Sequence, residues 1–225
     1  MMEVRLVDHM GSDLSVVNAA RVSFAKESEW DTIPDVGPLK GYLKLGDEKL
    51  IKYLAKHNHW SPFGHASMQF HIKAPVFVAR QLVKHQVGLV WNEVSRRYVD
   101  DEVEFYEPEE WRLAAENKKQ GSSDETTPYD VSATHMHARS TYTAMLNVGI
   151  APEMARMVLP QSMMTEWYWS GTLYAFARVC NLRCKPDAQV ETQMVADQID
   201  KLAEDLFPYS WEAPVSYTHL RAHET

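Results

Sequence analysis

The feature that most constrains the fold is an uninterrupted alternation of apolar and polar residues from Met68 to Ala74. Successive side chains of a β-strand point to opposite sides, so this pattern predicts a strand with one buried face. Pro75 ends the alternation and suits the first turn of a helix, which the following apolar spacing extends to about Gln86. The centre of the chain is therefore predicted to be a strand leading directly into a helix.

Other segments show the same two kinds of pattern. Further strands are predicted at residues 4–8, 94–99 and 162–169, and further helices at residues 13–22, 47–57, 131–148, 152–158, 172–181 and 188–206. Residues 24–46 are rich in charge, Gly and Pro and are interpreted as a long surface loop and candidate lid, whereas residues 117–128 are polar and typical of disorder. This irregular mixture of helices and strands indicates an α+β fold.

Composition narrows the class of protein. A chain of 225 residues with 45% hydrophobic residues can form one substantial domain, and its formal charge of -8 argues against a nucleic-acid polymer as partner. A phosphate-bearing ligand would have to be held by a local group of cations. Cys180 and Cys184 form neither a disulfide framework nor a zinc knuckle, and no membrane span or export signal is visible, so we expect a cytoplasmic protein without membrane contact.

The C-terminal segment differs from the rest of the chain. Residues 215–225, VSYTHLRAHET, follow a natural-looking FPYSWEAP, show no pattern of their own, and resemble the translation of a sequencing-library adapter. We therefore predict an authentic domain at residues 1–213 and a non-native tail at residues 214–225.

Two clusters of polar residues could bind a nucleotide. On the predicted helix after Pro75, Arg80 and Lys84 share a face, as do Gln81 and His85, and this cationic stripe could also be an ordinary solvated face. The chain has no GxGxxG turn, so a dinucleotide would have to be gripped by side chains.

The second cluster lies on the strand predicted at residues 94–99 and just before it. Alternation places Glu93, Ser95 and Arg97 on one side, where a guanidinium and a hydroxyl suit phosphate and ribose oxygens. The alternative is a cross-strand salt bridge from Glu93.

Five histidines occur within a short stretch and raise the alternative of a metal site: His57, His59, His65, His71 and His85. Imidazole is a common metal ligand, but no HExxH motif is present and the cysteines are far away in sequence. No metal site is therefore predicted, although a histidine metal protein remains an alternative.

The segment FVARQLVKHQVGLVWNEVSRRY, residues 77–98, resembles the signature RHRxxSxNExSxRY of flavin-dependent thymidylate synthases. Further similar blocks stand in family order: AARVSF (19–24), HNHWSPFGH (57–65), ARMVLP (155–160) and NLR (181–183). The chain departs from the signature where the RHR triplet is Lys84, His85 and Gln86, where one extra residue precedes Asn92, and where Gly64 replaces the Glu of a usual FEH. The resemblance implies a single α+β domain with a central mixed or antiparallel sheet packed by helices.

The resemblance also implies an activity and a set of site residues. The family converts dUMP to dTMP with 5,10-methylenetetrahydrofolate as carbon donor and NADPH-reduced FAD as hydride source, in homotetramers with sites between chains. The implied dUMP residues are Gln81, Glu93, Ser95, Arg97, Arg156 and Arg183, and Arg183 is also the residue that activates the pyrimidine. The implied FAD residues are Ser23, His59, Ser61, Lys84, His85, Gln86, Asn92, Glu93 and Arg178. No cysteine nucleophile is implied, and a nucleotide-binding protein without catalysis is a further alternative.

Overall fold

The computed structural model describes residues 1–33, 37–38, 41–98, 102–116 and 121–214. The segment at residues 215–225 that resembles an adapter lies outside the described residues, so the division of the chain at residue 213 stays a prediction. Within the described part, no helix has both the length and the apolar character needed to cross a bilayer.

The elements follow one another in an irregular order of helices and strands. They are β1 (Glu3–Met10), α1 (Asp13–Arg21), β2 (Thr32–Ile33), β3 (Gly37–Pro38), α2 (Leu45–Lys56), β4 (Ser67–Pro75), α3 (Val76–Leu82), β5 (Leu89–Glu93), β6 (Trp111–Arg112), β7 (Thr126–Thr127), α4 (Ser132–Asn147), α5 (Pro152–Ala155), β8 (Met164–Thr172), α6 (Leu173–Arg183) and α7 (Val190–Leu206). Short 3₁₀ turns lie at Val22–Phe24, Ser61–His65 and Arg156–Val158. The α+β class is confirmed.

A four-stranded sheet in the order β1-β4-β8-β5 forms the centre, and its neighbouring strands are all antiparallel. The alternation in β4 has the predicted effect: Met68, Phe70 and Ile72 are buried, whereas the intervening residues are half-buried. Trp167 and Trp169 of β8 extend the buried face. The sheet therefore has one apolar side, which requires a covering layer.

Helices α6 and α7 supply that covering layer, and α3 packs against both α7 and the sheet. Phe176 of α6 meets Phe70 edge to face with ring centroids 5.0 Å apart, and meets Trp169 at 5.2 Å. Aromatic pairs of this geometry add to the stabilisation from burial alone. Because α3 and α6 both follow directly from strands of the sheet, their N-terminal ends are anchored at the ends of those strands.

A smaller apolar cluster is separate from this core. Its buried members are Val103, Tyr142 of α4 and Ala155 of α5. His135 of α4 bonds the Glu107 carboxylate at 2.5 Å and the Ser162 hydroxyl at 2.7 Å. This polar link ties α4 to the segments that precede β6 and β8.

The prediction of a strand at residues 94–99 is wrong, because the strand lies earlier in the chain. The strand observed is β5, and its chain leaves the sheet after Glu93 into a turn in which the Tyr98 amide bonds the Ser95 carbonyl. The cause is long-range: Leu89 pairs with Gly171 of β8, which has no side chain, so the pairing starts earlier than the local pattern suggests.

The helix predicted to reach Gln86 is too long. It ends at Leu82, because the His85 amide bonds the Leu82 carbonyl and the helical hydrogen-bond pattern stops. Lys84 therefore does not share a helical face with Arg80. Other boundaries differ by a few residues, and a short strand, β7, lies inside the segment at residues 117–128 that was expected to be irregular.

Candidate active site

The connection from α3 to β5 carries the altered triplet of the family signature. Pro75 caps α3 in an extended conformation, and α3 then places Gln81 near its C-terminal end. Gly88, at φ 78°, turns the chain into β5, and a Cβ there would lie 3.1 Å from the Ala175 Cβ. The positive φ and this close approach favour glycine. His85 is consequently held between two packed elements.

Arg183, the last residue of α6, meets this connection from the opposite side. Its Nε donates to the His85 Nε2 at 3.1 Å, and its Nη2 lies 3.5 Å from the Gln81 carbonyl oxygen. Burial lowers the pKa of Arg183 from its ordinary value, although an arginine stays protonated at neutral pH. The structure therefore joins three of the predicted site residues in one half-buried cluster.

The protonation state of His85 follows from these contacts. Burial, and then the charges of Arg183 and Arg178, lowers the pKa of His85 below its ordinary value. A histidine nitrogen that accepts a hydrogen bond carries no proton, so the neutral ring has its proton on Nδ1. His85 thus presents one N–H donor without adding a positive charge beside the two arginines.

Glu93 stands at the end of β5, and both of its carboxylate oxygens have donors. The Thr165 hydroxyl donates to Oε1 at 2.9 Å, and the Trp91 indole lies 3.3 Å from Oε2. The Trp91 ring stacks on Trp167 at a centroid distance of 4.4 Å. The carboxylate is therefore oriented by the buried side of the sheet, whereas Asn92, one position earlier, points to the other side.

Ser95 and Arg97 lie in the turn after β5 rather than in a strand. The prediction that they share one side of a strand with Glu93 is thus wrong. The two residues are still neighbours: the backbone amide and Nε of Arg97 both lie 3.4 Å from the Ser95 Oγ. The Arg97 guanidinium also lies over the Tyr98 ring, 4.8 Å from its centroid. An exposed guanidinium and a hydroxyl are therefore available together to an anionic ligand.

A cleft of about 490 Å³ lies beside α6. Its lining includes two residues that the resemblance assigns to FAD, His59 and Arg178. Trp60 and Tyr174 contribute facing rings with centroids 5.8 Å apart, and the Tyr174 hydroxyl bonds Asn58 at 3.3 Å. Two further cations line the cleft, Lys56 and Lys185.

The structure does not gather every predicted residue at these places. Ser23 and Ser61 lie exposed in 3₁₀ turns and are not among the residues that line the cleft. Lys84 and Gln86 are exposed, and within the described residues their side chains form no hydrogen bond or ion pair. The assignments of these four residues stay predictions.

Arg156 does not belong to the hydrogen-bonded cluster. It begins the 3₁₀ turn after α5, is exposed, and bonds the Glu153 carbonyl at 3.3 Å. Across the described part of the chain, no hydrogen bond joins it to Gln81, His85 or Arg183. Its assignment to the dUMP site stays a prediction.

Sequence reasoning missed several residues that contact the predicted ones. Gln189 bonds the Gln81 side chain at 2.6 Å, and Thr165 bonds Glu93. No local pattern marks them, because both contacts join segments that are far apart in sequence. Gln189 falls at the start of the helix predicted over residues 188–206, but nothing in that segment indicates Gln81 as its partner.

The histidine cluster does not form a metal centre in the described residues. His57 and His59 are neighbours with ring centroids 6.3 Å apart, and His71 instead pairs with Glu166 at 3.1 Å. Across the described ranges, no group of three or more His, Cys, Asp or Glu side chains is arranged to hold a metal ion.

The chain is similar to known proteins over nearly its whole length. A family model described as "Thymidylate synthase complementing protein" matches residues 5–209. A flavin-dependent thymidylate synthase of Thermus thermophilus is 40% identical over 93% of this chain and 74% of its own length, and one of Kosmotoga olearia is 38% identical over 96% and 91%. The crystal structure of the UMP/dUMP methylase PolB from Streptomyces cacaoi, bound with 5-Br dUMP, has a TM-score of 0.77 and 34% identity over 95% of this chain and 94% of that chain.

Matches of this length and identity extend well beyond the signature segment and agree with the observed sheet and helix order. The chain therefore belongs to the thymidylate synthase complementing protein family, the flavin-dependent thymidylate synthases.

Proposed function

We propose that the protein converts dUMP to dTMP, with 5,10-methylenetetrahydrofolate as carbon donor and with FAD, reduced by NADPH, as hydride source. The observation that carries the proposal is the cluster in which Arg183 contacts neutral His85 and the Gln81 backbone. A guanidinium beside the N3–C4 edge of uracil stabilises negative charge on the ring and makes C5 more nucleophilic. Arg183 is the residue we assign to this role.

The remaining dUMP residues bind and orient the nucleotide. Arg97 and Arg156 offer exposed guanidinium groups for the phosphate, and Ser95 adds a hydroxyl next to Arg97. Glu93 presents a carboxylate whose orientation is set by Thr165. No hydrogen bond joins Arg156 to the cluster in the described residues, and we propose that it serves a site formed between subunits of a homotetramer.

The lining of the cleft beside α6 suits parts of a flavin dinucleotide in charge and in aromatic character. Lys56, Arg178 and Lys185 suit its phosphates, and the paired rings of Trp60 and Tyr174 offer flat apolar surfaces. When bound, the flavin supplies the redox chemistry, and the protein supplies orientation and polarisation. The resemblance further assigns His59, Ser23, Ser61, Asn92 and the triplet at residues 84–86 to its binding.

The burial of Cys180 supports a mechanism in which this cysteine is not a nucleophile. Cys180 is fully buried, and burial raises the pKa of its thiol well above the ordinary value. Its Sγ lies 3.7 Å from the Ala196 carbonyl inside the core. A thiolate is the reactive form of cysteine, so Cys180 is poorly suited to attack C6 of a pyrimidine.

The test is a set of omission assays on purified protein. We expect dTMP only when dUMP, methylenetetrahydrofolate, FAD and NADPH are all present, and no product when any one is removed. UMP should be assayed in parallel, because PolB is described as acting on both nucleotides. The proposal would be contradicted if turnover survived removal of the flavin, or if the complete mixture formed no dTMP.

A further inference from the structure

Glu191, in the first turn of α7, is a carboxylate with only 3% of its surface exposed. The Arg112 Nη2 donates to its Oε1 at 2.5 Å, and the Gln189 Nε2 donates to its Oε2 at 3.1 Å. Arg112 is itself held by the Ser122 hydroxyl, which lies 2.9 Å from its Nε. A buried charge with this many donors has a fixed position.

Glu191 determines the orientation of the Gln189 amide. Burial raises the pKa of Glu191, but hydrogen bonds from Arg112, from backbone and from Gln189 outweigh that effect, so the pKa lies below its ordinary value. An ionised carboxylate only accepts hydrogen bonds, so Gln189 must turn its NH₂ group toward Glu191 and its carbonyl oxygen away. The orientation of an amide is usually ambiguous, and here a charged neighbour decides it.

The same reasoning carries one step further, to Gln81. The Gln189 Oε1, now fixed as an acceptor, lies 2.6 Å from the Gln81 Nε2. Gln81 must therefore turn its own NH₂ group toward Gln189. The reversed orientation is excluded, because it would place the side-chain oxygens of Gln81 and Gln189 in contact. The side-chain oxygen of Gln81, Oε1, therefore remains available to a ligand.

We propose that Arg112, Glu191 and Gln189 are positioning residues that act through Gln81, and this inference rests on the proposed binding of dUMP by Gln81. We define these three residues as the amide relay. The relay keeps the side-chain oxygen of Gln81, Oε1, free as an acceptor for a donor on the nucleotide, such as the ring N3–H or a ribose hydroxyl. It would thus contribute to recognition of a uracil nucleotide without touching it.

The test compares variants of flavin-loaded protein in dUMP binding, measured by titration calorimetry, and in the KM and kcat for dUMP. Glu191→Gln lets the Gln189 amide reverse, so we expect the Kd for dUMP to rise about three- to tenfold, the loss of one oriented hydrogen bond. KM should rise with it, while flavin content per chain stays at the wild-type value.

Gln193→Met is the matched control. Gln193 lies in the same first turns of α7 and bonds the Ala188 carbonyl at 2.6 Å, and within the described residues it forms no hydrogen bond with Gln81. Its replacement should leave the Kd for dUMP unchanged. If Glu191→Gln does not fold, Gln189→Met makes the same test, because it breaks the relay and leaves the Arg112–Glu191 ion pair intact.

A double variant separates positioning from general stabilisation. If the relay acts through Gln81, Gln81→Ala combined with Glu191→Gln, or with Gln189→Met, binds dUMP no more weakly than Gln81→Ala alone. The inference would be overturned if the losses of dUMP affinity in the double variant were additive, or if the Kd were unchanged in both single relay variants. Either result leaves the proposed function supported as long as the wild type forms dTMP. A wild-type protein that forms no dTMP would overturn both.

Discussion

Arg178 and Arg183 both come from α6, and the charges of both lower the pKa of His85. Their surroundings nevertheless differ. Arg178 lines the cleft that we assign to the flavin, whereas Arg183 ends the helix against His85 and Gln81. Two arginines on one helix can therefore serve two ligands.

We expect the two alanine variants to fail in different ways. Arg183→Ala should reduce dTMP formation by about 100-fold or more, because the charge that polarises the pyrimidine is lost, and it should keep its flavin. Arg178→Ala should instead lower the flavin absorbance per chain. The measurements are initial rates and flavin content of each purified variant. Loss of flavin from Arg183→Ala would contradict the assignment of Arg183 to the pyrimidine.

The lowered pKa of His85 gives a prediction for stability. Between about pH 6.5, the ordinary histidine pKa, and the lower folded-state value, the unfolded chain binds more protons than the folded one. The free energy of unfolding should therefore decrease as the pH falls through that window. His85→Gln should show a smaller decrease. Urea denaturation at a series of pH values tests this, and equal slopes in the two proteins would refute it.

The altered triplet gives a prediction for cofactor affinity. Lys84 and Gln86 are exposed and offer fewer fixed donors than the two arginines of the usual signature. Lys84→Arg with Gln86→Arg should therefore tighten FAD binding, by about tenfold or more for each recovered charge-assisted contact. Titration of FAD into the wild type and the double variant measures the change. Equal or weaker binding would mean that Lys84, His85 and Gln86 bind FAD at least as well as the usual RHR triplet would in this chain.

At the level of elements, the sequence predicts best where one segment contains its own pattern. The alternation in β4 and the amphipathic spacing in α7 are local, and both elements form within a few residues of the predicted bounds. The position of β5 is not local. It depends on pairing with β8, some 80 residues later, and on the absence of a side chain at Gly171.

Gly171 is therefore expected to be intolerant of substitution. A Cβ at this position would lie 2.4 Å from the Leu89 Cδ2 and 2.6 Å from the Gly88 carbonyl oxygen, so β5 would have to shift. Gly171→Ala should lower the free energy of unfolding by about 1–3 kcal/mol, as overpacking does, and should impair dUMP binding by displacing Glu93. Gly46→Ala in α2 is the control, because a Cβ there meets nothing within 4 Å. Equal stability of the two variants, measured by urea denaturation, would refute the packing argument.

At the level of the whole molecule, the family signature indicates which residues to examine but not which of them meet in one chain. It assigns Gln81, His85 and Arg183, and the structure brings them together through α3 and α6. It also assigns Arg156, which lies exposed beside α5. Nothing in a linear sequence separates contacts within a subunit from contacts between subunits.

That separation can be tested by mixing two inactive variants. If Arg156 and Arg183 reach each site from different subunits of a homotetramer, Arg156→Ala and Arg183→Ala should each be inactive alone. Hybrids formed from equal amounts of both, after unfolding and refolding together, should regain activity, because some sites receive an intact arginine from each parent. Random assembly would restore about a quarter of the wild-type sites.

The control is the double variant Arg156→Ala with Arg183→Ala, refolded with wild type in the same proportion. If the two arginines act in different subunits, placing both changes on one chain leaves about a quarter of the sites intact, as in the first mixture. If they act in the same subunit, the first mixture stays inactive, whereas the control keeps about half of the wild-type sites. Mass measurement of the refolded protein should give four times the 25.9 kDa chain. An inactive mixture from a tetramer of that mass would show that Arg156 and Arg183 of one subunit serve the same site.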